Sequence, residues 1–137
     1  MSDTPAAMLA RVMRPRNKHN ARGFRDPSGA WWASGAEYRY WLGLKDRERH
    51  GEITDLERQP GFEVVPSFTD WMGRHHAPRM YHADFRYVDR HGHTYVDDVK
   101  GHYTEAFGLR WVMVLYLYTE VRVRGIDAHT LAPVATR

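Results

Sequence analysis

The stretch ADFRYVDRHGHTYVDDVKG, residues 83–101, decides how the rest of the chain is read. Polar and apolar residues alternate on both sides of Asp89–His93, the period of a β-strand. A three-residue hairpin loop typically ends on a residue in the left-handed conformation, which favours glycine. Gly92 supplies that residue if the loop is Arg90-His91-Gly92. Asp89 then opposes His93, and counting back places Asp84 opposite Asp98. Side chains alternate between the faces of a strand. His82, Asp84 and Arg86 therefore share one face, with Ala83, Phe85 and Tyr87 on the other. On the second arm Val96, Asp98, Lys100 and His102 share a face, and Asp97 turns away beside Tyr95 and Val99.

Two acids facing each other need a reason to be there. Directly opposed residues have Cβ atoms about 4.5–5.5 Å apart, and two carboxylates about 5 Å apart repel by roughly 3 kcal/mol at an effective dielectric of about 20. Solvent would bring this below about 1 kcal/mol, making the hairpin a solvated polar one. A cation would offset it, and Lys100 is two residues along on the same face. A divalent metal would do the same, since hard carboxylate oxygens suit Mg²⁺ or Mn²⁺. The residues alone leave all three open.

The chain has 137 residues, the size of one domain, and 42% of them are hydrophobic. It has no cysteine, which excludes disulfides and thiolate metal sites. The start, MSDTPAAMLARVM, lacks the basic region and apolar run of a signal peptide. The most apolar window, WVMVLYLY, is far shorter than the roughly 20 residues of a membrane span. A soluble, cytoplasmic protein is expected. Formal net charge is +3, but Arg11, Arg14, Arg16, Lys18, Arg22 and Arg25 fall in residues 11–25 with no acid among them, leaving −3 for the remainder. A basic arm over residues 1–25, followed by one domain over 26–137, suits a polyanionic partner; a solvated tail is the plainer reading.

The arm has room for a short helix over Ala6 to Met13, and DPSGAW reads as a turn. A helix is expected over about Gly35–His50, with Ser34 as N-cap and Gly51 as its stop. Short extended pieces follow near Ile53–Leu56 and Phe62–Val65, and residues 67–80 read as a loop. Residues 104–119 suit a helix, although so apolar and β-prone a run also allows a strand. VRVRGI reads as a last strand. The fold class is α/β or α+β, a layered domain.

Asp84 followed by Asp98-Val99-Lys100 on the next strand resembles the signature of the PD-(D/E)XK nuclease superfamily, an acid on one strand and (Asp/Glu)-x-Lys on its neighbour. Glu37 in SGAEYRYW stands where many members carry a further glutamate. RNKHNA, SGAEYRYWLGLKDRERHGEITDLERQPGFEV, YHADFRY and DDVKG, spanning about residues 16–118, resemble successive blocks of a small phage and prophage nuclease family of that superfamily, formerly described only as a domain of unknown function. Ala83 replaces the proline of the superfamily's name, and Thr69 to Met80 matches no block. The resemblance implies a restriction-endonuclease-like mixed β-sheet flanked by helices, in a phage- or prophage-encoded protein of the bacterial cytoplasm. It implies Mg²⁺-dependent hydrolysis of DNA (Mn²⁺ as possible substitute), with Asp84, Asp98 and the Val99 carbonyl as metal ligands, Glu37 completing the shell, and Lys100 as base or electrostatic stabiliser. It also implies a homodimer acting on duplex or branched DNA, such as a Holliday junction, with Arg14, Arg16, Lys18, Arg22 and Arg25 on the phosphates.

Each role has a plainer competitor. Ser34-x-x-Glu37 is a capping box. Asp97 is more simply structural, Asp55 and Glu57 surface residues, and Gln59 a loop-fixing amide or a neighbour of the site. Trp31, Trp32, Tyr38, Tyr40 and Trp41 suit a core, and Trp111–Tyr118 a buried or dimer-facing helix. Two other functions compete: a DNA-binding phage accessory protein that does not cut, and a small-molecule metalloenzyme using His82, Asp84 and His102.

Overall fold

The computed structural model describes residues 23–101 and 105–134, and these fall into two units divided between Gly35 and Ala36. In the first unit, β1 (Phe24–Arg25) and β2 (Trp31–Trp32) pair around the predicted turn. Asp26 holds it, accepting from the Ser28 and Ala30 amides at 2.9 and 3.1 Å and from Trp32 Nε1 at 2.8 Å. Trp32 is buried and Trp31 is 56% exposed, so only one of this pair serves a core. The helix expected over Ala6–Met13 lies outside the described residues.

Helix α1 (Gly35–Arg49) begins after Ser34 and ends at Gly51, whose φ is +73°. The Glu52 amide reaches back to the Arg47 carbonyl and the Gly51 amide to Glu48, a left-handed glycine stop. Then come β3 (Ile53–Arg58), β4 (Gly61–Val65), β5 (Phe68–Thr69), β6 (His75–His76), β7 (Arg79–His82), β8 (Phe85–Asp89), β9 (Thr94–Lys100), α2 (Glu105–Leu117) and β10 (Val121–Asp127). The main sheet runs β10-β9-β8-β3. Strand β10 lies parallel to β9, joined to it through α2, and the other pairs are antiparallel. The architecture is mixed α+β, two helices on a mixed four-stranded sheet with small hairpins, among the described residues.

The predicted hairpin register holds. Phe85 pairs with Asp97 and Val88 with Thr94, the Asp89 amide donates to the His93 carbonyl, and Gly92 has φ +82°. The solvated-hairpin reading does not hold: Asp97 and Asp98 are 0% and 1% exposed. Both faces of β9 are covered. On one, Tyr40 and Trp41 of α1 lie with ring centroids 5.7 and 5.8 Å from Phe85. On the other, Phe107 and Val114 of α2 join Val96, Val123, Phe62, Val64, Tyr81 and Ala83 in the core. This burial settles residues 105–117 as helix. The opposite side of α2 is bare, with Leu109, Val112 and Tyr116 at 65%, 58% and 80% exposure.

Two expectations need correction. The first arm is not one strand through residue 82. Strand β7 ends at His82, paired with Gly61 of β4, and β8 begins at Phe85, paired with Arg58 of β3. The partner changes at Gln59-Pro60, where the Gln59 amide donates to the Asp84 carbonyl and the Ala83 amide to Pro60. Gln59 has φ +53°, and it ties the bend through its backbone amide, not through the side-chain amide expected. Nor are residues 67–80 a loop: β5 pairs with β6, and β7 with β4. Pro66 and Pro78 interrupt the ladders and hid those strands, because proline offers no amide to a ladder.

Candidate active site

Strand β3 ends at Arg58, β8 begins just after Asp84, and β9 ends at Lys100, so one end of the sheet gathers Arg58, Asp84, Asp98 and Lys100. Asp98 is buried on β9. Its Oδ2 accepts the Tyr81 hydroxyl, a partner that sequence reasoning missed. Lys100 Nζ lies 3.2 Å from Asp98 Oδ1. That approach is an ion pair without hydrogen-bond geometry, and Oδ1 is buried without any hydrogen-bond partner. Lys100 Nζ sits 4.9 Å from the Phe107 ring centre, which holds the ammonium between α2 and the acids.

Asp84 stands in the bend between β7 and β8. Its Oδ2 accepts the Val99 amide at 2.7 Å, which ties the bend to the strand carrying Asp98. Burial, then the Asp98 charge, then the Glu37 charge push the Asp84 carboxyl well above the ordinary carboxylate range; Lys100 offsets part of this. Glu37, on the first turn of α1, belongs to the same cluster. Burial raises its pKa, with Lys100 and Arg58 lowering it and Asp98 raising it further. Burial and then the Asp98 charge likewise raise the Tyr81 phenol, which stays a donor.

Asp97, one residue away, has a different job. Its carboxylate accepts from the Tyr40 hydroxyl, from Tyr87 at 2.6 Å and from Arg124 Nε at 2.9 Å. Every partner comes from the α1 side of the sheet or from β10, so Asp97 is the structural residue expected. Glu57 pairs with Arg86 at the surface, and Asp55 occupies a bulge in β3 with φ +56°.

A family model matches residues 16–130. The chain belongs to that family, described as "Protein of unknown function (DUF1064)". The DUF1064 match runs through Glu37, Asp84, Asp98 and Lys100 and begins after Arg14. No curated protein and no solved structure matched.

Of the cations assigned to DNA in this DUF1064 chain, Arg14, Arg16, Lys18 and Arg22 lie outside the described residues. Arg25 is exposed, and its guanidinium donates to the Gly29 carbonyl at 2.8 Å. His102 also lies outside. His82 is exposed on the β4–β7 ribbon against Gly61, one strand-switch away from the acids. Among the described residues no three His, Asp or Glu side chains are placed to hold a metal ion, so the site offers no closed cage. What it offers is a carboxyl from the β7–β8 bend, a second from β9, and one buried oxygen, Asp98 Oδ1, without a hydrogen-bond donor. Mg²⁺ is usually bound by one or two carboxylates plus waters and phosphate oxygens, so this donor set fits it.

Proposed function

We propose that this protein is a metal-dependent DNA endonuclease of the PD-(D/E)XK kind, on a restriction-endonuclease-like sheet. The observation that carries the reading is the buried Asp98 Oδ1, without a hydrogen bond, flanked by Asp84 from the adjoining bend and by Lys100 two residues along. A fold gains nothing from a buried acid set beside a half-buried one unless something positive completes them. In this reading Asp84, Asp98 and the Val99 carbonyl would hold Mg²⁺ or Mn²⁺, with Glu37 reaching the ion through a water. The ion would supply Lewis-acid polarisation of the scissile phosphate and a bound water of lowered pKa.

The chain's own residues do the rest. Tyr81 fixes the Asp98 rotamer by donating to Oδ2, which keeps Oδ1 turned to the site. The Val99 amide fixes Asp84 in the same way. Burial and the Asp98 charge favour the neutral form of the Asp84 carboxyl, and a bound cation would favour its ionised form. Lys100, held over Phe107, balances the acids and is the nearest cation to charge developing on phosphate or water. Arg58 moderates Glu37 from β3. The basic arm would follow the phosphate backbone, and a domain without a separate sequence-reading part suits branched or junction DNA in phage DNA processing. Two copies would cut paired strands, with the bare side of α2 as the face that joins them.

The test is strand cleavage with Mg²⁺ or Mn²⁺ on supercoiled plasmid, linear duplex and a four-way junction, comparing the native chain with Asp98→Ala. Metal-dependent cutting that disappears in Asp98→Ala supports the reading. Salt-sensitive binding without cutting, unchanged by Asp98→Ala, would replace it with a non-cleaving DNA-binding protein.

A further inference from the structure

Three turns in this chain share one frame. Asp26-Pro27-Ser28-Gly29-Ala30, Asp70-Trp71-Met72-Gly73-Arg74 and Asp89-Arg90-His91-Gly92-His93 each start on an aspartate that bonds the fifth residue and carry a left-handed glycine at the fourth. The φ values at Gly29, Gly73 and Gly92 are +89°, +81° and +82°. The two positions between them face water, and in two turns they are Pro-Ser and Arg-His. In the third they are tryptophan and methionine, and Trp71 is 93% exposed.

The turn bearing Trp71 ends a long ribbon. Val65 pairs with Arg79, Phe68 with His76 and Thr69 with His75. These pairs keep one count across the break, so Pro66 faces Pro78 and the two short ladders are a single arm. The tip is held firmly although it buries almost nothing. Asp70 accepts from the Met72 amide at 2.8 Å, the Arg74 amide at 3.0 Å and His76 Nε2 at 2.8 Å, and Phe68 stacks on His76 at 4.7 Å. A rigid tip presenting a bare indole is the shape of a wedge. Its charge suits a polyanion: Arg74 adjoins the tip, the Asp70 carboxylate is consumed by the turn, and a hollow of about 420 Å³ at the base of the arm lies between Arg79 and Arg110, with Met80 and Met113 in its lining.

We propose that the arm of residues 66–78 is a nucleic-acid wedge, in which Trp71, backed by Met72, stacks on an unpaired or unstacked base while Arg74 and Arg79 take the flanking phosphates. An indole stacks on any base, so the wedge reads the openness of the DNA and not its sequence. The inference rests on the nuclease reading for its substrate and would make that substrate branched or gapped DNA.

The experiment measures binding in chelator with no cleavage, so it does not depend on the acids. Native chain, Trp71→Ala and Trp71→Phe are titrated against a four-way junction and an uninterrupted duplex, with 2-aminopurine at the branch point reporting unstacking. Loss of one stacked base costs roughly 5- to 150-fold in affinity. Trp71→Ala is expected to lose at least tenfold on the junction and under twofold on the duplex, with the 2-aminopurine signal gone and Trp71→Phe largely restoring both. Unchanged melting would show that the fold is intact. Equal losses on both DNAs, or none on either, overturn the wedge and leave the tip to a protein or lipid partner. If the native chain cuts DNA while Trp71→Ala binds the junction normally, the wedge fails and the nuclease stands; if the native chain binds neither DNA, both fail.

Discussion

Replacing Asp84 by asparagine should make the metal-free protein more stable, and increasingly so as pH rises. The carboxyl of Asp84 is pushed above its ordinary value by burial and by Asp98. A carboxyl whose folded pKa lies above its unfolded one prefers the proton in the folded state. Its favourable contribution is complete below the unfolded value, 3.8, and is lost as pH rises through the folded value. Asparagine is nearly isosteric, accepts the Val99 amide through its own oxygen and carries no charge at any pH. At about 5 Å the ionised pair costs roughly 3 kcal/mol at an effective dielectric of about 20. Lys100, 3.2 Å from Asp98, offsets part of this and leaves a net gain on the order of 1–2 kcal/mol. At about 2–4 °C per kcal/mol for domains near this size, Tm should rise by roughly 2–8 °C. The assay is thermal unfolding in chelator at pH 5, 6, 7 and 8 for both proteins. The two should converge at the acid end and separate above it. A variant that is less stable throughout, or an offset that does not change with pH, would refute the claim that the acids are strained in the absence of a cation.

Asp97→Asn should do the opposite. It leaves Arg124 and two tyrosines around a neutral amide in a fully buried position, and urea unfolding should show a loss of about 3 kcal/mol, the usual cost of breaking a buried pair from one side. Leu109→Glu, on the bare side of α2, should turn a dimer into a monomer in sedimentation while leaving Tm nearly unchanged, because Leu109 is 65% exposed. Removing residues 1–22 should flatten the salt dependence of DNA binding, by about 0.9 in the log–log slope for each phosphate the arm no longer neutralises.

The acids were legible in the sequence because a hairpin turns spacing into geometry. Once Gly92 placed the loop, a count of residues set Asp84 across from Asp98, and no tertiary knowledge was needed. What the count could not show was depth. Burial of both Asp97 and Asp98 depends on α1 and α2 covering opposite faces of β9, a property of layers and not of any window of sequence. Tyr81 escaped for a related reason. It lies on β7, which belongs to a different ladder from β8, and the strand-switch at Gln59-Pro60 that separates them has no periodic signature. Glu37 is legible only through its place ahead of the sheet in the family resemblance; Lys100 and Asp98 act on its half-buried carboxyl, and the capping role with Ser34 stands beside the site role.

The arm carries a turn signal without a strand signal. Asp70-x-x-Gly73-x has the same frame as the hairpin turn Asp89-x-x-Gly92-x, yet its flanks SFT and RHH have the composition of a loop. Alternation is what draws attention to a strand, and it reports one buried face. Phe68, Thr69 and His75 bury neither face, so no alternation exists to be seen, and Pro66 and Pro78 cut the ladder where it would otherwise join β4 and β7. Local turn chemistry is the only signal such an arm leaves. Asp70 holds in shape a segment that contributes nothing to a core, and Trp71 stands bare at its tip.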